Sequence, residues 1–202
     1  MRLRLHIRRL SRLVRPALVL AACTLATAHP VEAQEAVTAT SGEPGVIARI
    51  RALFAEVERE ASTYRRATRD LQGFSLEGGE LVGFYRGSEL RKLAAHHYGE
   101  TGAATEAYYF SDGRPMFIHI VDVTYDEPLS GRVRYRTEDR YYFDGGRLIR
   151  HVHTPDPKQD DDEETGPSDP PAPEFLLKVA EQFAACAAST GAEPPQCTAP
   201  DR

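Results

Sequence analysis

Three histidines, a row of arginines and two late cysteines are the side chains in this sequence whose types and spacing could do chemistry. His119, His151 and His153 suit a metal, since alternate strand positions such as 151 and 153 share a face. Hairpin register argues against it. With Gly145-Gly146 as a two-residue turn, Phe143 falls opposite Leu148, Arg140 opposite His151 and Glu138 opposite His153. Both histidines then sit among Arg132, Arg134, Arg136 and Arg140, and guanidinium neighbours oppose a dication. Counting from the Asp112-Gly113 turn sets His119 opposite Glu106, on the face of Tyr108 and Phe110, as a satisfied and partly buried couple. No metal and no cofactor is expected.

The arginines themselves form a pattern. From 132 to 143 the even positions are mostly Arg, while Val133, Tyr135, Thr137, Tyr141 and Phe143 hold the odd ones. A strand would therefore present a basic row of Arg134, Arg136 and Arg140, flanked by His151 and His153, suited to an anionic envelope polymer or lipid headgroup. The chain uses 22 Arg against 3 Lys throughout, so arginine is also its ordinary surface cation. No Gly-x-Ser-x-Gly elbow, phosphate loop, His-Glu-x-x-His or dinucleotide fingerprint occurs, so no catalytic residue is assigned. Gly78-Gly79 reads as a hairpin turn closed by Glu77 and Glu80.

The N-terminus has the anatomy of an export signal. Arg2, Arg4, Arg8, Arg9, Arg12 and Arg15 precede an apolar stretch from Pro16 to Ala28 that is too short to span a bilayer. Small residues mark two cleavage sites, after Ala28 and after Ala33. A competing reading takes Leu20-Ala21-Ala22-Cys23 as a lipobox with Cys23 acylated; the apolar run continuing past Cys23 favours simple cleavage. Cutting after Ala28 removes six of the 25 basic residues and none of the 30 acidic ones, which leaves 19 against 30 and a net charge of −11. That charge disfavours nucleic acid, and the mature chain has no transmembrane segment. The expected place is periplasmic or secreted, with lipid anchorage as the alternative. There Cys186 and Cys197 are expected to form a disulfide.

The remaining residues supply the scaffold. Val46, Ile47, Ile50, Leu53, Phe54, Val57, Ala61, Tyr64 and Leu71 recur at three and four, which predicts an amphipathic helix from Pro44 to Leu71 after a flexible lead-in over 34–43. Beyond Gly73 the period becomes two. Short aromatic and β-branched runs alternate with Gly-rich turns, predicting a meander up to residue 153. An internal repeat runs through it: Phe84-Tyr85-Arg86-Gly87-Ser88-Glu89-Leu90 matches Tyr142-Phe143-Asp144-Gly145-Gly146-Arg147-Leu148, and Tyr108 to Arg114 repeats the aromatic half. Residues 154–173, with six prolines and seven acids, read as a disordered linker. Phe175, Leu176, Val179, Phe183 and Cys186 predict a helix over 174–189, followed by a tail over 190–202. The fold class expected is α+β, an antiparallel meander of six or seven strands with both helices packed on one face.

Gly78-Gly79-Glu80-Leu81, Tyr98-Gly99-Glu100-Thr101-Gly102, Tyr108-Tyr109-Phe110 and Tyr141 to Ile149 together resemble a family of uncharacterised bacterial exported proteins and lipoproteins ordered helix, meander, helix. The resemblance covers about residues 45 to 153 and implies the fold, with no catalytic residue. A fainter similarity is to hairpin-repeat antitoxin-like proteins. The function expected is a non-enzymatic binding or envelope-associated domain; the alternative is a small periplasmic hydrolase or metal-dependent enzyme. Mass spectrometry of mature protein should find His29 or Gln34 as the first residue, and an acylated Cys23 there would overturn the simple-cleavage reading.

Overall fold

The computed structural model describes residues 36–39, 44–73, 75–157, 171–189 and 197–198. The leader with Cys23 and most of the acidic linker lie outside the described residues. Helix α1 (Pro44–Glu60) begins with proline in its first turn and buries Val46, Ile47, Ile50 and Val57. It is shorter than the spacing predicts. Thr63 Oγ1 donates to the Glu60 carbonyl at 2.8 Å, a 3-10 turn covers Ala61–Thr63, and Tyr64 is extended. Strand β2 (Arg65–Gln72) follows, where a helix was expected. The sequence RRATRDLQ has Leu71 as its one buried residue, so pairing with the next strand, rather than propensity, makes it a strand.

The meander then runs β3 (Gly79–Arg86), β4 (Glu89–Tyr98), β5 (Gly102–Ser111), β6 (Arg114–Tyr125), β7 (Val133–Asp144) and β8 (Arg147–Thr154). With β2 this gives seven antiparallel strands in sequence order. Two short pieces extend the sheet: β1 (Ala36–Ala39) beside β8, and β9 (Cys197–Thr198), parallel to β2. The three expected turns at Gly87-Ser88, Asp112-Gly113 and Gly145-Gly146 are two-residue loops. In the last two, both central residues have positive φ, as a turn matching the strand twist requires. Gly78-Gly79 differs: Gly79 already belongs to β3, and the β2–β3 connection occupies 73–78.

Each of these three hairpins carries the same irregularity. Phe84 pairs with Lys92 but Tyr85 with Leu90; Tyr109 pairs with Phe117 but Phe110 with Pro115; Tyr142 pairs with Arg150 but Phe143 with Leu148. One extra residue, Arg91, Met116 or Ile149, is thus inserted at the same place in every repeat as a β-bulge. Beyond each bulge the facing of the receiving strand is reversed relative to a plain hairpin. The register inferred from turn counting is therefore corrected by one residue. Arg140 pairs with Val152 and Glu138 with Thr154, while His119 pairs with Ala107 rather than Glu106.

The two helices flank the sheet on opposite sides, not on one face. The aromatic triplets Tyr108-Tyr109-Phe110 and Tyr141-Tyr142-Phe143 are apolar at consecutive positions, so both faces need cover. Tyr109, Phe117 and Tyr142 form one core with Val46, Ile47, Ile50 and Val57 of α1. The Phe54 ring stands edge-on to Tyr109 and Phe117 at 5.0 and 5.3 Å. Tyr108, Phe110, Ile118, Tyr141 and Phe143 face α2 (Pro173–Ala188), where Leu176, Val179, Ala180 and Phe183 are buried against them.

Cys186 near the end of α2 is bonded to Cys197 in β9, and Cys197 pairs with Leu71 of β2, so the bridge ties the helix to the sheet edge. In the chain-entropy model so short a loop contributes about 2.5–3 kcal/mol. Both thiols should resist alkylation until reduced. Reduction should lower the melting temperature while the far-ultraviolet spectrum of the sheet is kept; free thiols in the non-reduced protein would contradict the bridge.

Candidate functional site

The bulges sort the polar side chains of β4 to β8 by charge. Directly paired residues share a face, so the registers define two rows on the α1 side: Lys92, Tyr109, Phe117, Tyr142 and Arg150, then Ala94, Ala107, His119, Arg140 and Val152. Glu138 and Arg136 continue that side along β7. The extra residues Met116 and Ile149 join the α1 core, and Arg91 reaches Glu56 of α1 at 4.0 Å.

On this side Glu58 and Glu138 are each held by two donors. Glu58 of α1 accepts from Lys92 Nζ at 2.6 Å and from the Tyr109 hydroxyl at 2.8 Å. Burial alone would raise the Glu58 pKa, but these two donors hold it below the usual range. Glu138 is the hub of the arginine row: Arg140 donates to its Oε2 at 2.8 Å and Arg136 to its Oε1. Its burial opposes ionisation, yet the hydrogen bonds from Arg140 and Arg136 pull its pKa down to about 2. His119 Nε2 lies 3.7 Å from Glu138; burial lowers the pKa of that imidazole. Arg134 leaves the row, because it is the extra residue of a further bulge opposite Thr124 and Tyr125, and its guanidinium lies over the Tyr135 ring at 4.8 Å.

His151 and His153 are on the other side. His151 is paired with Tyr141, whose ring it stacks on at 4.3 Å, and His153 with Asp139. His151 Nε2 stands 2.6 Å and His153 Nδ1 3.0 Å from the same oxygen, Asp139 Oδ1. Ile120 separates Asp139 from Glu106 in the next row, and Asp122 lies two residues along β6 from Ile120, diagonal to both. Glu106 accepts from the Tyr108 hydroxyl and lies 3.3 Å from His97 Nε2. Turn counting missed this gathering of Glu106, Asp122 and Asp139 with His97, His151 and His153, since it assigned the histidines to the arginine face. The visible signal was the repeat itself, in which three hairpins share one spacing.

The titration behaviour reflects the crowding of acids. Desolvation on the sheet and the neighbouring Glu106 and Asp139 carboxylates raise the Asp122 pKa, although the residue itself is exposed. Burial, with Asp139 and Asp122 alongside, also pushes up the Tyr141 phenol, whose hydroxyl has no hydrogen-bond partner. Among the described residues no group of three His, Cys, Asp or Glu side chains is placed to hold a metal ion. Thr105 Oγ1 lies 3.4 Å from His96 Nδ1, a long contact for a nucleophile and an imidazole base. Glu80 pairs with His96 across the strands, but no hydrogen bond joins their side chains among the described residues. Two hollows of about 370 and 480 Å³ lie at the hairpin ends, beside the start of α2 and of α1, away from either charged cluster.

No protein-family model, curated protein or solved structure matches the chain. Among the described residues no helix is long and apolar enough to cross a membrane.

Since Glu138 titrates in the folded state near pH 2 against an ordinary value of 4.5, its ion pairs stabilise the fold fully above about pH 4.5. That contribution, on the order of 3 kcal/mol, is lost as pH falls from there towards 2. Thermal melts of Glu138→Gln should be lower than wild type at pH 7 and converge with it near pH 2. A constant gap across that range would contradict the assignment.

Proposed function

We propose that the protein is an exported, non-enzymatic binding domain associated with the cell envelope, which holds anionic groups of an envelope polymer or lipid headgroup on the α1 side of β7 and β8. The observation that supports this reading is the sorting of charge by the bulges. Arg136, Arg140 and Arg150 face one side of two adjacent strands, with Arg134 at the rim. Two acids beside them are Glu138, already shared by two arginines, and Asp156, whose Oδ2 accepts from the Arg136 backbone N–H at 2.8 Å. The Arg136 side chain is 48% exposed, so a mobile anion can reach it. The sheet side opposite carries carboxylates, which gives the domain an orientation towards a charged surface. The long Thr105–His96 contact lends the hydrolase alternative little support.

Replacing all three predicted arginines would strip Glu138 of its partners and confound binding with folding. Arg134→Gln with Arg136→Gln leaves the Arg140–Glu138 pair in place. This double variant should melt within a few degrees of wild type, since exposed pairs contribute about 0–1 kcal/mol. It should also elute from a sulfated-polysaccharide column at clearly lower salt, and lose binding to phosphatidylglycerol vesicles. Unchanged elution and vesicle binding would show that the row is only solvated surface.

A further inference from the structure

The α2 side of β4 to β8 gathers three carboxylates and three imidazoles, and its inward row positions hold no lysine or arginine. Along β4 these are Leu93, Ala95 and His97; along β6, Ile118, Ile120 and Asp122; along β7, Thr137, Asp139 and Tyr141. Buried carboxylates ordinarily face a cation or several donors. Of the three here, Asp139 is buried, Glu106 is partly buried and Asp122 is exposed. The Tyr108 hydroxyl serves Glu106 Oε2 and His97 Nε2 lies 3.3 Å from its Oε1, while His151 and His153 both converge on one oxygen of Asp139 and leave its other oxygen to a further donor. Asp122 faces Glu106 and Asp139 as like charges, with His97 the nearby group that favours its ionised form. The Tyr141 side chain is 1% exposed, and its hydroxyl, beside Asp139 and Asp122, has no partner although a phenol can both donate and accept.

We propose that this cluster is a binding site for an organic cation of the alkylammonium class, held by Asp122, Glu106 and Asp139 with the Tyr141 hydroxyl as a further acceptor. The acceptors come from three adjacent strands, with Asp122 on the middle one and Glu106 and Asp139 diagonal to it on either side. That arrangement suits the three diverging N–H donors of an ammonium better than the planar fork of a guanidinium, which matches a single carboxylate. A divalent metal fits less well, because His151 and His153 already direct a ring nitrogen at Asp139 and no three ligands are placed around one point among the described residues. The cluster meets solvent through the exposed Asp122 and through His153 and Glu106, whose side chains are 28% and 19% exposed, which gives a small cation a way in. Bound there, it would supply the positive charge that the inward positions of β4 to β8 lack.

Calorimetric titration of the full chain with n-butylammonium chloride tests the site, with zinc chloride and sodium acetate as comparators. Butylammonium should bind saturably, while acetate does not bind. Asp122→Asn should weaken the ammonium about tenfold or more and Tyr141→Phe severalfold. Both variants should melt at or above the wild-type temperature, because one removes a like-charge contact and the other an unpartnered hydroxyl. The Arg134→Gln, Arg136→Gln protein should bind butylammonium as wild type does, which separates this site from the basic side. Absence of saturation, affinity unchanged by both substitutions, zinc taken up in place of the ammonium, or either variant melting well below wild type would each overturn the proposal.

Discussion

The inserted residue that follows each of the three Gly-containing turns governs which side chains meet which helix, and most of the architecture follows from its repetition. In a pleated strand facing alternates without exception, so one added residue reverses every later side chain on that strand relative to its partner. Arg91, Met116 and Ile149 occupy that position in successive hairpins. Had the hairpins been plain, His151 and His153 would face the arginines, and His119 would face Glu106. With the bulges, Lys92, Arg136, Arg140 and Arg150 collect on one side and Glu106, Asp122 and Asp139 on the other, and the inserted residues themselves fill space towards α1.

Burial on both faces explains why two helices are needed and why each is amphipathic. The α1 interface is mixed: Phe54 packs on the aromatic row, and Glu58 reaches Lys92 and Tyr109 beside it. The α2 interface is drier, with Phe183 edge-on to Tyr108 at 5.7 Å and Ala187 approaching Gly83, where an added Cβ would meet the alanine methyl at 3.1 Å. Small residues at that crossing let the helix lie close, so van der Waals contact supplies what polar pairing supplies on the other side. Neither helix is replaceable by the other.

Much of the fold was legible in the sequence, and the reasons are local. The Asp112-Gly113 and Gly145-Gly146 pairs demand positive φ, and the repeat of Tyr-Phe before a turn marks strand ends. The pairing of Cys186 with Cys197 was expected from their being the two late cysteines of a sequence with an export-signal pattern. What could not be read was carried by tertiary context. Arg65–Gln72 has no strand signature of its own, and its Tyr64 and Leu71 flanks mimic a helical seven-residue spacing. The bulges leave no mark in any single hairpin, because Leu90-Arg91-Lys92, Pro115-Met116-Phe117 and Leu148-Ile149-Arg150 share only a position. The arginine row was therefore visible as composition, while the carboxylate and imidazole cluster, assembled from strands far apart in sequence, was not.

The ends of the sheet are treated differently from its faces. A meander of seven strands leaves two open ladders, each a template on which another copy could add a strand. Here β1 occupies one margin with four residues and β9 the other with two, and β9 runs parallel to its neighbour under the restraint of the Cys186–Cys197 bridge. Short, tethered border strands offer little length for intermolecular pairing, so the same covalent link that fastens the tail also guards the sheet against growing into fibrils when the protein is concentrated.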